Sequence, residues 1–366
     1  MYDQQLLYKI AITHIPLVGS VLAKNVISFS GGVEAVFQQR KSSLIKIPGI
    51  GDKIADSIVK KKSFQKAEEE LAFIEKHGIK AVFYLDDEYP FRLKRIKDAP
   101  VILYHKGVCD LNHPRIIGVV GTRRPSNYGR TQCEKLIEDV SGSNPLIISG
   151  LAYGIDITAH RTALKQGLAT LGVMGTGLDR IYPAAHRRTA SEMVDHGGLV
   201  TEFGKATEPD RENFPMRNRI IAGMCDALVV VESDRRGGSM ITAEMANGYH
   251  KDVFALPGRI GDSTSKGCNF LIKTNRAHLL EGGNELAEMM QWESNPEHIV
   301  KQQSLFEDLS TSEQQIFDLL SKEVPTSIDR IYKESSLSAS EIASGLLNLE
   351  FKGMLRSLPG KMYLLQ

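Results

Sequence analysis

Between residues 80 and 280 the chain alternates short apolar, β-branched runs with longer amphipathic stretches. The runs are Ile116–Val120, Leu146–Ser149, 170–174, 199–202, 227–232 and 252–256. Apolar runs this short, with little polar alternation, suit strands buried on both faces, and the stretches between them can hold a crossover helix. The spacing predicts repeated βαβ units and hence an α/β fold: an extended Rossmann-like, doubly wound parallel sheet.

The flanks have other textures. Before residue 75 two short helical pieces turn at glycines: Ile15 to Gly19 leads into Val21, Leu22 and Val26, and Ile47 to Gly51 leads into Ile54 and Ile58. The pieces form a weak internal repeat, and the second fits a helix-hairpin-helix, whose glycines let the backbone approach a phosphate. Lys53 and Lys60 to Lys62 lie just beyond it; they suit either a phosphate contact or a solvated face. Residues 312–366 carry three helical patterns and then a hairpin turning at Pro359 and Gly360, which together make a winged helix. The expected domains are a helix-hairpin-helix-like module over 1–75, the Rossmann domain over 76–290, an acidic linker over 291–310 and a winged helix over 311–366.

Charge changes this picture only locally. The 366 residues carry 45 Lys and Arg against 44 Asp and Glu, a net of +1, so no global field advertises a polyanionic partner. Residues 281–310, however, hold seven acids against the single base Lys301, which leaves a surplus of +7 on the rest of the chain. Four scattered cysteines without a CxxC pair give neither a disulfide framework nor zinc ligands. With no signal-peptide pattern and no long apolar run, a cytoplasmic protein without membrane contact, metal or cofactor is expected.

In an open α/β sheet, ligands sit outside the carboxyl ends of the strands, so the residues just after each run are informative. The first run leads into Gly121-Thr-Arg-Arg-Pro-Ser-Asn-Tyr-Gly129, the second into Gly150-Leu-Ala-Tyr-Gly-Ile-Asp156 and the third into Gly175-Thr-Gly-Leu-Asp-Arg-Ile-Tyr-Pro183. Later runs lead into Glu202-Phe-Gly204, Glu232-Ser-Asp-Arg-Arg-Gly-Gly-Ser239 and Pro257-Gly-Arg259. Glycines, hydroxyls and arginines at helix starts suit phosphate groups. Neither GxGxxG with its acidic ribose ligand nor GxxxxGK[ST] is present, which argues against a dinucleotide and against P-loop chemistry. Asn213-Phe-Pro-Met-Arg-Asn-Arg219 adds Arg217 and Arg219 around Asn218 on a helix start: either Phe214 stacks on a base beside them, or Phe214 is core and the arginines form surface ion pairs. Asp156 and His160, four apart on a helix, form either a metal or acid–base pair or an ordered helix start, and Glu202, Glu232 and Glu244 are further acids at strand ends or helix starts.

Laid out in order, these stretches resemble the DNA-processing protein A family, also called Smf. The resemblance rests on Val120-Gly-Thr-Arg123, Ser149-Gly-Leu-Ala152 with Gly154-Ile-Asp156 and His160, Gly175-Thr-Gly-Leu-Asp179 with Tyr182-Pro183, Phe214 to Gly223, Gly238-Ser-Met-Ile-Thr-Ala243, and Ala255-Leu-Pro-Gly258 with Gly267-Cys-Asn269. It implies a homodimer that binds and protects incoming single-stranded DNA in natural transformation and loads the RecA recombinase onto it, with single-strand-binding protein as a further partner. Carried over to this sequence, the DNA or phosphate site comprises Arg123, Ser149, Gly150, Arg187, Arg217, Asn218, Arg219, Gly238, Ser239 and Thr242, with no catalytic residue. Two departures are His186-Arg187, where the family has Asn and a base, and Arg236-Gly237, where it has Arg-Ser. The third helix of the winged domain contains Glu341 and Glu350 but no cation, which suits partner docking or packing better than duplex reading. The alternative is an enzyme: Arg236 to Glu244 resembles the glycine-rich loop and catalytic Glu of nucleoside-monophosphate phosphoribohydrolases.

Overall fold

The computed structural model describes residues 4–292, 309–320, 325–358 and 360–365. Its strands are β1 (Lys80–Phe83), β2 (Ile102–Gly107), β3 (Ile116–Val120), β4 (Leu146–Ser149), β5 (Thr170–Val173), β6 (Gly198–Thr201), β7 (Ala227–Val230), β8 (Asp252–Ala255) and β9 (His278–Leu279). They form one sheet in the order β1-β2-β6-β5-β4-β3-β7-β8-β9. From β6 to β9 every neighbouring pair is parallel, whereas β1 and β2 are antiparallel additions beside β6. The α/β class and the parallel core are those the apolar runs predict. β3, β4, β5 and β7 are buried at every position, as strands covered by helices on both faces must be.

Two apolar layers sandwich this sheet. One joins Ile116, Ile148 and Leu228 to Ile220 and Ile221 of the helix Asn213–Met224, and the other joins Ile117, Val119 and Val229 to Leu136, Ile137 and Ala159. An ion pair between a buried arginine and a half-buried aspartate pins the opposite edge from the strand-end loops. Arg92 Nε and its terminal nitrogen donate to the two Asp226 oxygens at 2.7 and 2.8 Å, and Asp226 also accepts from the Ile116 amide at 2.9 Å. Removing one partner of such a pair costs about 3–5 kcal/mol.

The N-terminal helices do not close on themselves at residue 75. Ile54 and Ile58 of the helix Asp52–Val59, and Leu71 and Ile74 of the helix Phe64–His77, share a core with Phe83, Ile102 and Tyr104 of β1 and β2. The compact unit runs from residue 1 to 300. Gly49 occupies the left-handed region at φ +89°, as the second hairpin requires, and the matching place in the first repeat is taken by Leu17 at φ +66°. Lys41 pairs with both Asp52 and Asp56 at 2.9 and 3.0 Å, so the helix after the glycines starts beside two carboxylates and one cation.

Residues 301–366 form the second unit. Helices Thr311–Leu319, Ile328–Glu334 and Ala339–Phe351 pack Ile316, Ile331, Ile342 and Leu346 against Leu355 on β11 (Leu355–Leu358), which pairs with β12 (Met362–Leu365). β10 (Thr326–Ser327) completes the three-stranded sheet. Glu341 serves a capping box with Ser338 at the start of the cation-free third helix. Pro359 of the expected turn, and 293–308 of the expected acidic linker, lie outside the described residues. Glu285 and Glu288 of the acidic stretch belong to the helix Gly283–Met289, which buries Leu286 against the first unit's core. Among the described residues no helix is long and apolar enough to cross a membrane.

Candidate nucleic-acid interface

The chain continues from β3 to β4 on one side and reaches β7 on the other, so the loops after β3 and β7 part to leave a crevice. The crevice is a cleft of ≈ 780 Å³ lined by Gly121, Thr122, Arg123, Phe214, Ser239 and Thr242, among others.

Its walls are held by a carboxylate. Glu232, buried just beyond β7, accepts from the Ser126 amide at 2.9 Å, the Ser126 hydroxyl at 2.7 Å and the Thr264 hydroxyl at 2.8 Å. Ser126 in turn caps the helix Asn127–Val140 by accepting from the Gly129 amide at 3.1 Å. The loop after β3 is thus tied to the end of β7, and Thr122 adds a backbone bond to the Glu232 carbonyl at 2.7 Å. Gly154, at φ +81°, lets the next loop turn directly against the Thr122 carbonyl, where a side chain would collide. Glu232 is therefore a structural acceptor rather than a strand-end acid awaiting substrate.

The expected site residues separate into three groups. Arg123, Asn218, Gly238, Ser239 and Thr242 line the cleft, and Gly150 lines its inner extension beside Arg123. Arg123 is exposed and lies 5.6 Å from the Phe214 ring centre, while Tyr182 stands 5.9 Å from the same ring. Gly238, Ser239 and Thr242 belong to the first turns of the helix Gly238–Gly248, whose leading amides and dipole face the cleft. Ser239 is fixed there by a 2.8 Å bond to the Ser233 hydroxyl.

A second group is buried at the strand ends. Arg217 lines the cleft but is buried, and its guanidinium donates to the carbonyls of Gly150, at 2.6 Å, and Val173, and to Asn218 Oδ1 at 3.1 Å. Burial and the neighbouring Arg123 pull its pKa down to about 10, with Asp156 opposing. Ser149 is fully buried and donates to the Val119 carbonyl at 2.5 Å. These two side chains are bonded to carbonyls at the strand ends, and of the two only Arg217 lines the cleft.

The third group lies elsewhere. Arg219, one residue beyond Asn218, turns away to a buried ion pair with Glu202. Arg187 is exposed on the first turn of the helix Arg187–His196 and does not line the cleft. His186, next to it, bonds the Leu151 carbonyl at 2.9 Å and holds Tyr153 against its ring.

Asp156 and His160 do not act on each other. Asp156 accepts from the Ala152 amide at 3.3 Å; burial raises its pKa, and the nearby Arg217 lowers it. His160 is fully buried and bonds Thr170 Oγ1 at 2.7 Å. That hydroxyl donates to the Ile147 carbonyl, so the histidine Nδ1 must be the donor. Desolvation, with Arg217 and His186 nearby, brings the His160 pKa down to about 3. Glu244 faces Arg276 at 3.7 Å and does not line the cleft, unlike the catalytic Glu of the enzyme alternative. Among the described residues no cluster of three or more His, Cys, Asp or Glu could hold a metal.

A second hollow, of ≈ 740 Å³ on the far side of Arg123 and lined by Arg124, Arg130, Tyr153 and Arg161, is not anticipated from the sequence. A signal for it is there nonetheless: Arg130 stands early on the helix after β3, and Arg161 past the middle of the helix after β4.

This geometry defines a Rossmann-type protein with an anion-suited, arginine-edged cleft at its strand crossover. Residues 80–291 match the family model of DNA recombination-mediator protein A, and residues 302–361 match that of the DprA winged helix domain. The chain belongs to the DNA recombination-mediator protein A family. Protein Smf of Synechocystis sp. is 30% identical over 402 residues, covering 99% of each chain. The DNA processing protein DprA of Streptococcus pneumoniae is 43% identical over 204 residues, 56% of this chain and 72% of that one. Its X-ray structure superposes with a TM-score of 0.68 at 34% identity, over 80% of this chain and 99% of that one. DNA processing protein A from Helicobacter pylori, whose structure concerns a single-stranded DNA binding mode, gives a TM-score of 0.54 at 28% identity, over 58% and 95%.

Proposed function

We propose that this chain binds single-stranded DNA non-catalytically in the cleft between the β3 and β7 loops, protects it as it enters the cell, and hands it as a homodimer to RecA. The observation that carries the reading is the exposed Arg123 poised over Phe214, opposite the leading turn of Gly238–Gly248. A phosphate meets the guanidinium and the helix amides, and a base meets an aromatic face. These contacts are indifferent to sequence, and no element of the cleft is shaped to enter a major groove. The Helicobacter pylori relative's single-stranded DNA binding supports the same use of the shared fold.

A titration comparing single-stranded and duplex oligonucleotides tests it, and the salt slope should approach about −0.7 for each phosphate neutralised. Equal or tighter duplex binding across salt concentrations overturns the reading. Incubation with nucleoside monophosphates tests the enzyme alternative by release of free base. RecA-dependent strand exchange on DNA coated with single-strand-binding protein tests the loading step separately from DNA affinity.

A further inference from the structure

A second groove, of ≈ 490 Å³, lies beside β1 and β2, lined by Lys24, Tyr84, Leu85, Lys94, Arg95 and Lys97, among others. Because β2 runs antiparallel to β6 and β1 antiparallel to β2, Tyr84 and Leu85 leave β1 at the same sheet edge as the carboxyl ends of the parallel strands. Only this end of the groove shares the cleft's edge; Arg95 lies toward the amino ends of the strands, close to Lys251 ahead of β8. β2 stands four strands from β3, a separation of roughly 20 Å at ~4.8 Å per strand.

Two of the four cations are held by carbonyls rather than by carboxylates. Lys94 Nζ donates to the Asp86 carbonyl at 2.9 Å, and Lys24 Nζ reaches the Lys97 carbonyl at 3.5 Å while lying 5.7 Å from the Tyr84 ring centre. Neither carbonyl cancels a charge. Asp86 is taken by Lys9 at 2.6 Å and the Phe83 amide at 2.9 Å, whereas Asp98, which accepts from the neutral Tyr249 hydroxyl at 3.0 Å, keeps its charge and acts on Lys24 without pairing with it. Among the described residues none of the four cations forms an ion pair with a carboxylate. Four like charges gathered in one groove beside a half-buried tyrosine and an exposed leucine repel one another until an anion arrives, and phosphates with bases between them match both components.

We infer that this groove is a second contact for the same DNA strand, taking phosphates several nucleotides beyond those in the cleft. The inference rests on the single-strand reading of the cleft and adds to it a length dependence. A thymidine 6-mer, short within the ~4–16 nucleotide range of single-strand grooves, engages the cleft alone, whereas a 24-mer reaches both. Lys94→Glu/Lys97→Glu should leave 6-mer affinity within about twofold while lowering 24-mer affinity at least tenfold at ~0.1 M salt. The 24-mer salt slope should become shallower by about 0.7 per lost phosphate contact. Lys24→Gln/Arg95→Gln, which removes charge without adding any, should act in the same direction, with thermal unfolding confirming that both variants are folded.

Unchanged 24-mer affinity and slope in both variants, while Arg123→Ala weakens both oligomers, overturns the groove and leaves the cleft standing. Retained DNA binding with loss of polyglutamate binding overturns it in favour of an acidic polypeptide. If the unaltered protein binds neither oligomer, the cleft reading itself fails.

Discussion

Arg217→Ala separates a bracing arginine from Arg123, the arginine proposed to contact DNA. The guanidinium is buried, satisfies the carbonyls of Gly150 and Val173 at the ends of β4 and β5, and is the largest favourable influence on the buried Asp156 carboxylate. Truncation strands two buried acceptors, at about 1–3 kcal/mol each, and takes from the buried Asp156 carboxylate its strongest partner, leaving it the Ala152 amide, Ser149 and Arg123. Together these resemble the breaking of a buried ion pair, so the loss should be about 3–5 kcal/mol. At about 2 °C per kcal/mol, the lower end for large domains, the first unit should melt roughly 6–10 °C earlier. Arg123→Ala removes only an exposed side chain and should change stability by no more than about 0.5 kcal/mol while weakening DNA binding. The sign with pH is also fixed. Asp156 has a raised pKa in the fold, removal of Arg217 raises it further, and a protonated carboxyl is cheaper to bury, so the deficit should shrink as pH falls. Adding Asp156→Asn should recover part of it at neutral pH. The assay is thermal unfolding across pH, read alongside single-strand titration of the folded variants. If Arg217→Ala melts like the unaltered protein yet loses more DNA affinity than Arg123→Ala, the guanidinium is free to reach phosphate and the bracing assignment is wrong.

Gly154→Ala should destabilise by about 2–3 kcal/mol and abolish binding in whatever still folds, because φ of +81° and the Thr122 carbonyl both exclude a side chain there; chemical denaturation measures the first and titration the second. His160 has its pKa lowered from 6.5 to about 3, so the unfolded chain takes up a proton that the fold refuses, and this contribution is lost as pH falls below about 6.5; His160→Asn, keeping a donor near Thr170, should flatten the wild-type acid slope by up to ~1.4 kcal/mol per pH unit, and an unchanged slope would show that the ring titrates normally. Removal of residues 301–366 should leave single-strand affinity within about twofold, since the cleft lies wholly in the first unit and the third helix of the second carries no cation; loss of binding in a folded truncation would move the main site to the winged helix.

The parallel strands were legible because burial on both faces leaves uninterrupted apolar runs, as in Ile116–Val120 and Leu146–Ser149. β1 and β2 were not. Lys80 opens β1, and His105-Lys106-Gly107 close β2, which blurs the apolar run, and antiparallel edge pairing needs none of the crossover spacing that reveals βαβ units. β9 is two exposed residues long, too short for any pattern. The missing strands bear on function, since the cationic groove exists only because β1 and β2 extend the sheet beyond β6.

Arginines posed a different problem, because a guanidinium that braces carbonyls and one that awaits phosphate are the same letter in the chain. Part of the answer was nonetheless present in Arg217-Asn218-Arg219. Once Asn213–Met224 is a helix, residues two apart point about 200° from each other, so Arg217 and Arg219 could not both face one cleft. One had to serve the fold on the far side, where Glu202 at the end of β6 waits as its partner. The near one was decided by depth rather than direction. Gly150 leaves no side chain between the β4 end and the helix, so Arg217 sinks into the space and meets carbonyls before it can meet solvent. The glycine makes room for an arginine, and the exposed guanidinium left at the rim, over Phe214, is that of Arg123, the one assigned to phosphate in the proposed function.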